Sequence, residues 1–208
     1  LFWIPEGADA ADGAYVRSAA EDLLAIIALE SERAQAIVVG EDLGTVERRA
    51  QQQLMAAAVL SYRLLWFEKS DPADYPERAL AAVTTHDLPT IAGLWSGSDL
   101  QAQQRLGLQP NEAGTEEIRD RLARLTRSTE DTPLTEVIRR TYKALGRAPS
   151  VVVTATLEDA AGVEARPNMP GTVDEWPNWS QPLPVDLDTL VRSEKADAIA
   201  TALTRRAG

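Results

Sequence analysis

The chain has 208 residues, 44% of them hydrophobic and 25% charged, which fits a folded globular protein of one or two domains and excludes a disordered segment. Its 32 acidic residues outnumber the 21 basic ones for a formal net charge of -11, so no basic field exists to hold a nucleic acid or an anionic membrane. Cysteine is absent and histidine occurs once, which removes disulfides and thiolate metal sites and leaves little for zinc.

No signal-peptide pattern and no bilayer-length apolar run is present, so the default expectation is a cytoplasmic protein. The opening Leu1-Phe2-Trp3-Ile4-Pro5 lacks methionine and is apolar from its first residue, which suggests a sequence that begins inside a longer protein. Pro5 to Gly13 reads as a loop. Ser18-Ala19-Ala20-Glu21 has the form of a capping box at a helix start, and Leu23, Leu24, Ile26, Ile27 and Leu29 then line a broad helical face, as on a helix that covers a sheet.

Ala36 to Gly44 is the stretch around which the rest of the chain is organised. The β-branched run Ile37-Val38-Val39 has the character of a strand buried on both faces, and it ends at Gly40 to deliver Glu41 and Asp42. Carboxyl ends of parallel strands are where ligands bind and chemistry is done in α/β proteins. The plainer alternative is that Asp42 caps the next helix while Glu41 makes a surface contact. These nine residues alone leave both readings open.

Thr45 to Leu60 reads as a second helix, packed through its C-terminal half, and Tyr62 to Phe67 as a strand. After a loop at Asp71 to Pro76, a third strand from Ala79 to Thr85 ends in Thr85-His86-Asp87, the second carboxylate at a strand end. Ser98 to Leu145 contains no strand-like stretch and reads as helical, with a capping box at Ser98 to Gln101. Its clearest helix is Pro133 to Leu145, capped by Thr132, started by Pro133, ended by Gly146, and turning Leu134, Val137, Ile138 and Leu145 inward. Val151 to Thr156 is a fourth strand, Glu164 to Pro184 a loop, and Val185 to Ala207 a polar helix.

Strands alternating with helices in a parallel sense form a fragment of a barrel pattern. Sugar chemistry is one natural use, since retaining glycoside transfer needs a nucleophilic and an acid/base carboxylate about 5 to 5.5 Å apart. The acid/base member needs a raised pKa, from burial or from nearby negative charge such as Asp42 and Asp87 offer. Trp66, Phe67, Trp95, Trp176 and Trp179 lie near expected strand ends, where flat aromatic faces pack on pyranose rings; each taken singly fits a core position as well.

Five motifs then stand in order along the chain: Leu1-Phe2-Trp3-Ile4-Pro5-Glu6-Gly7, Gly13-Ala14-Tyr15-Val16, Gly40-Glu41-Asp42-Leu43-Gly44, Thr85-His86-Asp87-Leu88-Pro89-Thr90 and Asn168-Met169-Pro170-Gly171-Thr172. Together they resemble bacterial 4-alpha-glucanotransferases, the amylomaltases or disproportionating enzymes of glycoside hydrolase family 77. The resemblance implies an α/β fold, the C-terminal half of a TIM (β/α)₈ barrel, with residues 1–208 all in the catalytic barrel domain and a helical insertion at about 98–147 between its last two strands. It implies that Glu41 is the acid/base after the fifth barrel strand and Asp87 the carboxylate after the seventh that stabilises the transition state. His86 becomes a ligand of sugar hydroxyls, Phe67 an aromatic of the acceptor region, and Asn168 the start of a cleft loop.

The implied substrates are maltooligosaccharides and 1,4-alpha-glucans, with no metal and no cofactor. The family's nucleophile is an aspartate in an Arg-x-Asp-His string, and the lone His86 belongs to a different motif, so that string is expected upstream of Leu1. The chain is therefore expected to need the N-terminal half of its own barrel and to be inactive alone. Ser18-Ala19 stands where relatives often have Tyr-Pro, and Ser180 where they often have Arg. A hydrolase of the same clan and a non-catalytic glucan-binding remnant are the alternative readings.

Overall fold

A computed structural model describes residues 2–44 and 46–204. Leu1 of the apolar opening, Thr45 at the expected start of the second helix, and 205–207 of the final helix lie outside the described residues. The chain divides into two compact units, Leu1–Ser61 and Tyr62–Gly208.

In the first unit, β1 (Phe2–Trp3) pairs antiparallel with β2 (Ala14–Tyr15), and the Phe2 and Tyr15 rings meet edge to face at 5.0 Å. Gly13 lets the Phe2 ring lie close, since a Cβ would stand 2.6 Å from it and push the ring aside. Next come α1 (Ala20–Ala34) and α2 (Arg48–Ala56). The capping box expected at Ser18 does not form: Ala19 takes the N-cap position with no side-chain bond, and Ser18 instead accepts the Ala20 N–H through its carbonyl. Helix α1 leaves its apolar face open. Leu23, Ile26 and Leu29 are each more than half exposed, and neither α1 nor α2 buries a residue. The strand expected at Ala36 to Gly40 is reduced to one parallel bridge, Val39 to Leu60, with Leu60 N–H donating to Val38 and Gly40 N–H to Leu60.

The second unit holds the core. Its sheet runs β3 (Ser61–Leu64), β4 (Ala79–Ala82), β5 (Val152–Val153), with β4 central and β5 parallel to it through Leu80–Val152 and Ala81–Val153. All three strands are shorter than their β-branched and apolar runs suggest. After β3 the chain turns, Phe67 N–H donating to Leu64, while the Arg121 guanidinium takes the carbonyls of Leu65 and Trp66 at 2.9 and 2.7 Å. From β4, the helices α3 (Ile91–Ser96), α4 (Ser98–Arg105), α5 (Glu112–Thr126) and α6 (Leu134–Leu145) follow without an intervening strand, in the stretch read as helical.

Helix α6 does what its stripe foretells: Val137, Ile138 and Leu145 are buried against Ile91, Leu94, Leu122 and Val83, with Leu134 partly buried beside them. Its N-terminus differs from expectation, while Gly146 ends it as expected. Pro133 occupies the N-cap, while the Thr132 hydroxyl accepts from Thr129 N–H. Gly146 has φ -62, so its need for glycine is spatial, a Cβ there lying 2.5 Å from the Ala202 carbonyl. The Ser98 capping box is also absent, since Gly97 is the N-cap of α4. The expected final helix is split into α8 (Leu187–Val191) and α9 (Glu194–Leu203), after the short α7 (Leu157–Ala161) and a long loop.

A buried carboxyl ties this core together. Asp159 accepts from Tyr142 Oη at 2.6 Å and from Ile91 N–H at 2.9 Å, and burial pushes both the carboxyl and the phenol upward in pKa. The network joins α6 and α7 to the start of α3, the helix that follows the second motif-bearing loop.

Candidate active site

The loop from Thr84 to Thr90 is fastened at both ends before it presents anything. Thr84 Oγ1 and Trp66 Nε1 both donate to the Pro89 carbonyl, at 2.9 and 2.8 Å. Thr90 caps α3 by accepting from Gly93 N–H at 3.0 Å, and its hydroxyl proton goes to Val163 at 2.7 Å. Between these anchors stand His86 and Asp87, both more than 40% exposed in their side chains.

A loop segment, 164–168, runs against them. Asn168 N–H donates to the His86 carbonyl at 3.1 Å, and Asn168 Nδ2 donates to Asp87 Oδ1 at 2.7 Å. The other carboxylate oxygen, Asp87 Oδ2, lies 3.3 Å from His86 Nε2. Asp87 is thus an oriented carboxylate with one face still open, a group that can hold sugar hydroxyls or oppose a developing positive charge. The Asn168 loop is itself tied: Met169 is buried and donates its N–H to Asn178 Oδ1, Asn178 Nδ2 donates to Thr172 Oγ1, and Gly171 has φ +83.

A concavity of about 430 Å³ opens beside the loop, lined by Thr85, His86, Thr156, Glu158, Trp179 and Gln181 among others. Trp179 is 68% exposed at φ +59, and its ring is 4.7 Å from the His86 ring. The tryptophans therefore divide. Trp66 is core and Trp95 packs against it, Trp176 is half-buried and donates to the Arg166 carbonyl, and Trp179 offers a free aromatic surface beside the histidine.

The structure thus gathers three of the five sequence-derived site residues, His86, Asp87 and Asn168. Phe67 stands on the turn after β3, 48% exposed and outside that network. Glu41 belongs to the other unit, exposed just after the Val39 bridge, with Asp42 half-buried beside it. Two residues escaped the sequence reading. Arg166, buried, donates through Nη1 to the Asp87 carbonyl at 2.6 Å, and its Nε and Nη2 fork onto the buried carboxylate of Asp99. Neither had a local sequence signal, since Arg166 lies in a loop and Asp99 stands 67 residues away on α4. Among the described residues, no three His, Asp or Glu side chains gather as a metal site would require, and no described helix is long and apolar enough to cross a membrane.

An α/β scaffold with polar and charged side chains on the loops after its strands belongs to a class of folds that hosts many chemistries. Within that class the family is specific. The 4-alpha-glucanotransferase family model, glycoside hydrolase family 77, matches residues 1–187, and the chain belongs to that family. It is 38% identical over 98% of its length to the 4-alpha-glucanotransferase of Mycobacterium tuberculosis, and 31% identical over 93% to that of Haemophilus influenzae. It spans about a third of the length of these relatives, 32% and 31%. Among solved structures, amylomaltase from Corynebacterium glutamicum superposes with a TM-score of 0.87 at 31% identity, covering 99% of this chain and 34% of that one. Amylomaltase from Streptococcus agalactiae, in complex with acarbose, shares the fold with a TM-score of 0.63 at 20% identity, covering 94% and 36%.

Proposed function

We propose that this chain is the C-terminal half of a (β/α)₈ barrel 4-alpha-glucanotransferase, with its helical stretch at about 98–147 inserted between the last two strands, and that it carries every key carboxylate except the nucleophile. The observation that carries the reading is Asp87, held by Asn168 at 2.7 Å and flanked by His86 at 3.3 Å within the motif the family shares. Further support comes from the bare apolar face of α1, where Leu23, Ile26 and Leu29 await the cover that the remaining barrel half would provide. The enzyme works in the cytoplasm on 1,4-alpha-glucans, without metal or cofactor.

In the intact protein, an aspartate outside these 208 residues attacks the anomeric carbon while Glu41 protonates the departing glycosidic oxygen. The bond to the leaving sugar breaks and a glucosyl-enzyme ester forms. Glu41, now a carboxylate, takes the proton from the 4-hydroxyl of an incoming glucan, whose oxygen displaces the enzyme's ester oxygen and restores the alpha linkage. The negative charge of Asp87 opposes the oxocarbenium character of each transition state, and His86 with Asn168 holds it at that angle. Phe67 lines the acceptor side, and the exposed Trp179 gives a sugar ring a flat face to rest on.

The test uses the longer protein and maltotriose. Transfer yields glucose with glucans longer than the substrate, whereas a hydrolase yields only shorter sugars. Glu41→Gln and Asp87→Asn should each lower kcat by several orders of magnitude while leaving maltooligosaccharide binding largely intact. The 208-residue chain alone should show no transfer, because general acid assistance contributes only about 10² to 10⁴-fold without a nucleophile. Near wild-type transfer by either variant, or longer glucans made by the isolated chain, would overturn the assignment.

A further inference from the structure

We propose that Arg166, locked by Asp99 of α4, is a positioning residue that sets the reach and angle of Asp87. The inference rests on the reading of Asp87 as the transition-state carboxylate. Both members of the pair are nearly water-free, with side-chain exposures of 7% for Arg166 and 2% for Asp99. Burying two charges in this way adds little to stability, since well-packed apolar residues of similar volume do as well or better. The pair is better explained by where its remaining hydrogen bond goes.

A guanidinium presents its donors in a rigid planar fork. Here Nε, at 2.6 Å, and Nη2 are spent on Asp99, which fixes the plane, and Nη1 is thereby aimed at the Asp87 carbonyl at 2.6 Å. Gln103 Nε2 donates to Asp99 Oδ2 at 2.8 Å and steadies the acid in turn. Asp87 lies outside every strand and helix, so no ladder holds its backbone. Its restraints include Arg166 on the carbonyl, Thr85 Oγ1 accepting from its N–H at 3.3 Å, and Asn168 and His86 on its side chain.

The frame that carries Arg166 is also fixed. Its own carbonyl accepts from Trp176 Nε1 at 3.1 Å and from Gln181 Nε2 at 2.9 Å. Gly93 lets α3 pass close beneath the segment, for a Cβ there would sit 2.3 Å from the Glu164 carbonyl and 3.3 Å from the Asp99 Cβ. Lysine cannot replace the arginine: a single ammonium on a flexible stem does not fix a plane against Asp99 and reach the carbonyl together. Releasing that carbonyl lets the Asp87 carboxylate drift, and a displacement of about 1 Å at a reacting centre lowers the rate by about 10²-fold.

The experiment is a kinetic cycle in the full-length enzyme with maltotriose, using Arg166→Met with Asp99→Leu together, Arg166→Lys, Asp87→Asn, and the triple combination. The apolar double variant should keep a near wild-type urea midpoint, lose about 100-fold in kcat, and change KM by no more than about threefold. Arg166→Lys should lose kcat by at least about tenfold with an unchanged melting temperature, which serves if the double variant fails to fold. Added to Asp87→Asn, the double substitution should cause no further loss, because the arginine acts through that carboxylate. Wild-type kcat in the folded double variant or in Arg166→Lys, with Asp87→Asn inactive, overturns the positioning role and leaves the Asp87 assignment standing. An active Asp87→Asn enzyme overturns both.

Discussion

The two units treat the same kind of apolar stripe in opposite ways. On α6, Val137, Ile138 and Leu145 vanish into the core, and the buried Tyr142 hydroxyl donates to the buried carboxyl of Asp159. On α1, the equally apolar Leu23, Ile26 and Leu29 face solvent, and the most buried hydrophobics of the unit, Val59 and Leu60, retain 8% exposure each. The carboxylates follow suit. Asp87 is held on its backbone and its side chain, whereas the Glu41 carboxylate has no hydrogen-bond partner among the described residues. A helical stripe records which face wants cover and says nothing of whether the cover is in the same chain. The second unit is organised by its own contacts, and the first leaves its apolar stripe exposed.

The sharpest way to break that contrast is to truncate one residue from each stripe. Ile138→Ala should destabilise the second unit by about 2–5 kcal/mol, while Ile26→Ala in the 208-residue chain should stay within about 0.5 kcal/mol. In a longer protein that covers α1, the cost of Ile26→Ala should rise toward the core value. Urea unfolding followed by tryptophan fluorescence reads both, and equal costs in the short chain would erase the distinction between the units.

A smaller effect separates core from surface within the second unit. Arg139 and Arg140 hydrogen-bond the Glu136 carboxyl on α6 and hold it down at about 2, against an ordinary 4.5. The folded value lies below the unfolded one, so the group's contribution is complete above about pH 4.5 and is lost as pH falls toward 2. The cluster faces solvent, so Glu136→Gln should cost no more than about 1 kcal/mol at pH 7. That gap should close across the same acid range, with the titration itself visible by carboxyl NMR.

The smallest change is expected at Tyr75. Its ring belongs to the core, its hydroxyl is buried with no hydrogen-bond partner among the described residues, and burial pushes the phenol upward. Tyr75→Phe removes an unmet polar group, so stability should hold or rise by up to about 1 kcal/mol. A loss of more than that would reveal a partner for the hydroxyl.

The sequence is legible where one local rule acts alone. The stripe of α6 follows from helical spacing, and the loop character of 164–184 from its prolines. The length of β4 is overread because Thr84 is as β-branched as a strand residue yet turns its hydroxyl to the Pro89 carbonyl, past the end of the strand. The Ser-x-x-Glu pattern at Ser18 misleads because the helix begins at Ala20, one residue too late for the serine to cap it. At the site, motif residues are readable because they cluster within a few positions. The pair that braces them is not, since Arg166 and Asp99 stand 67 residues apart and no local signal joins them.

The helices between β4 and β5 touch the site region at two points. Asp99 on α4 steadies the arginine behind Asp87, and Arg121 on α5 pins the carbonyls of Leu65 and Trp66, the two residues just before Phe67. The stretch that looks like an ornament on an α/β scaffold is in mechanical terms a buttress with two feet, one behind the donor side and one behind the acceptor side of the proposed cleft. Remodelling it would change how firmly both walls stand without altering a residue that meets a sugar.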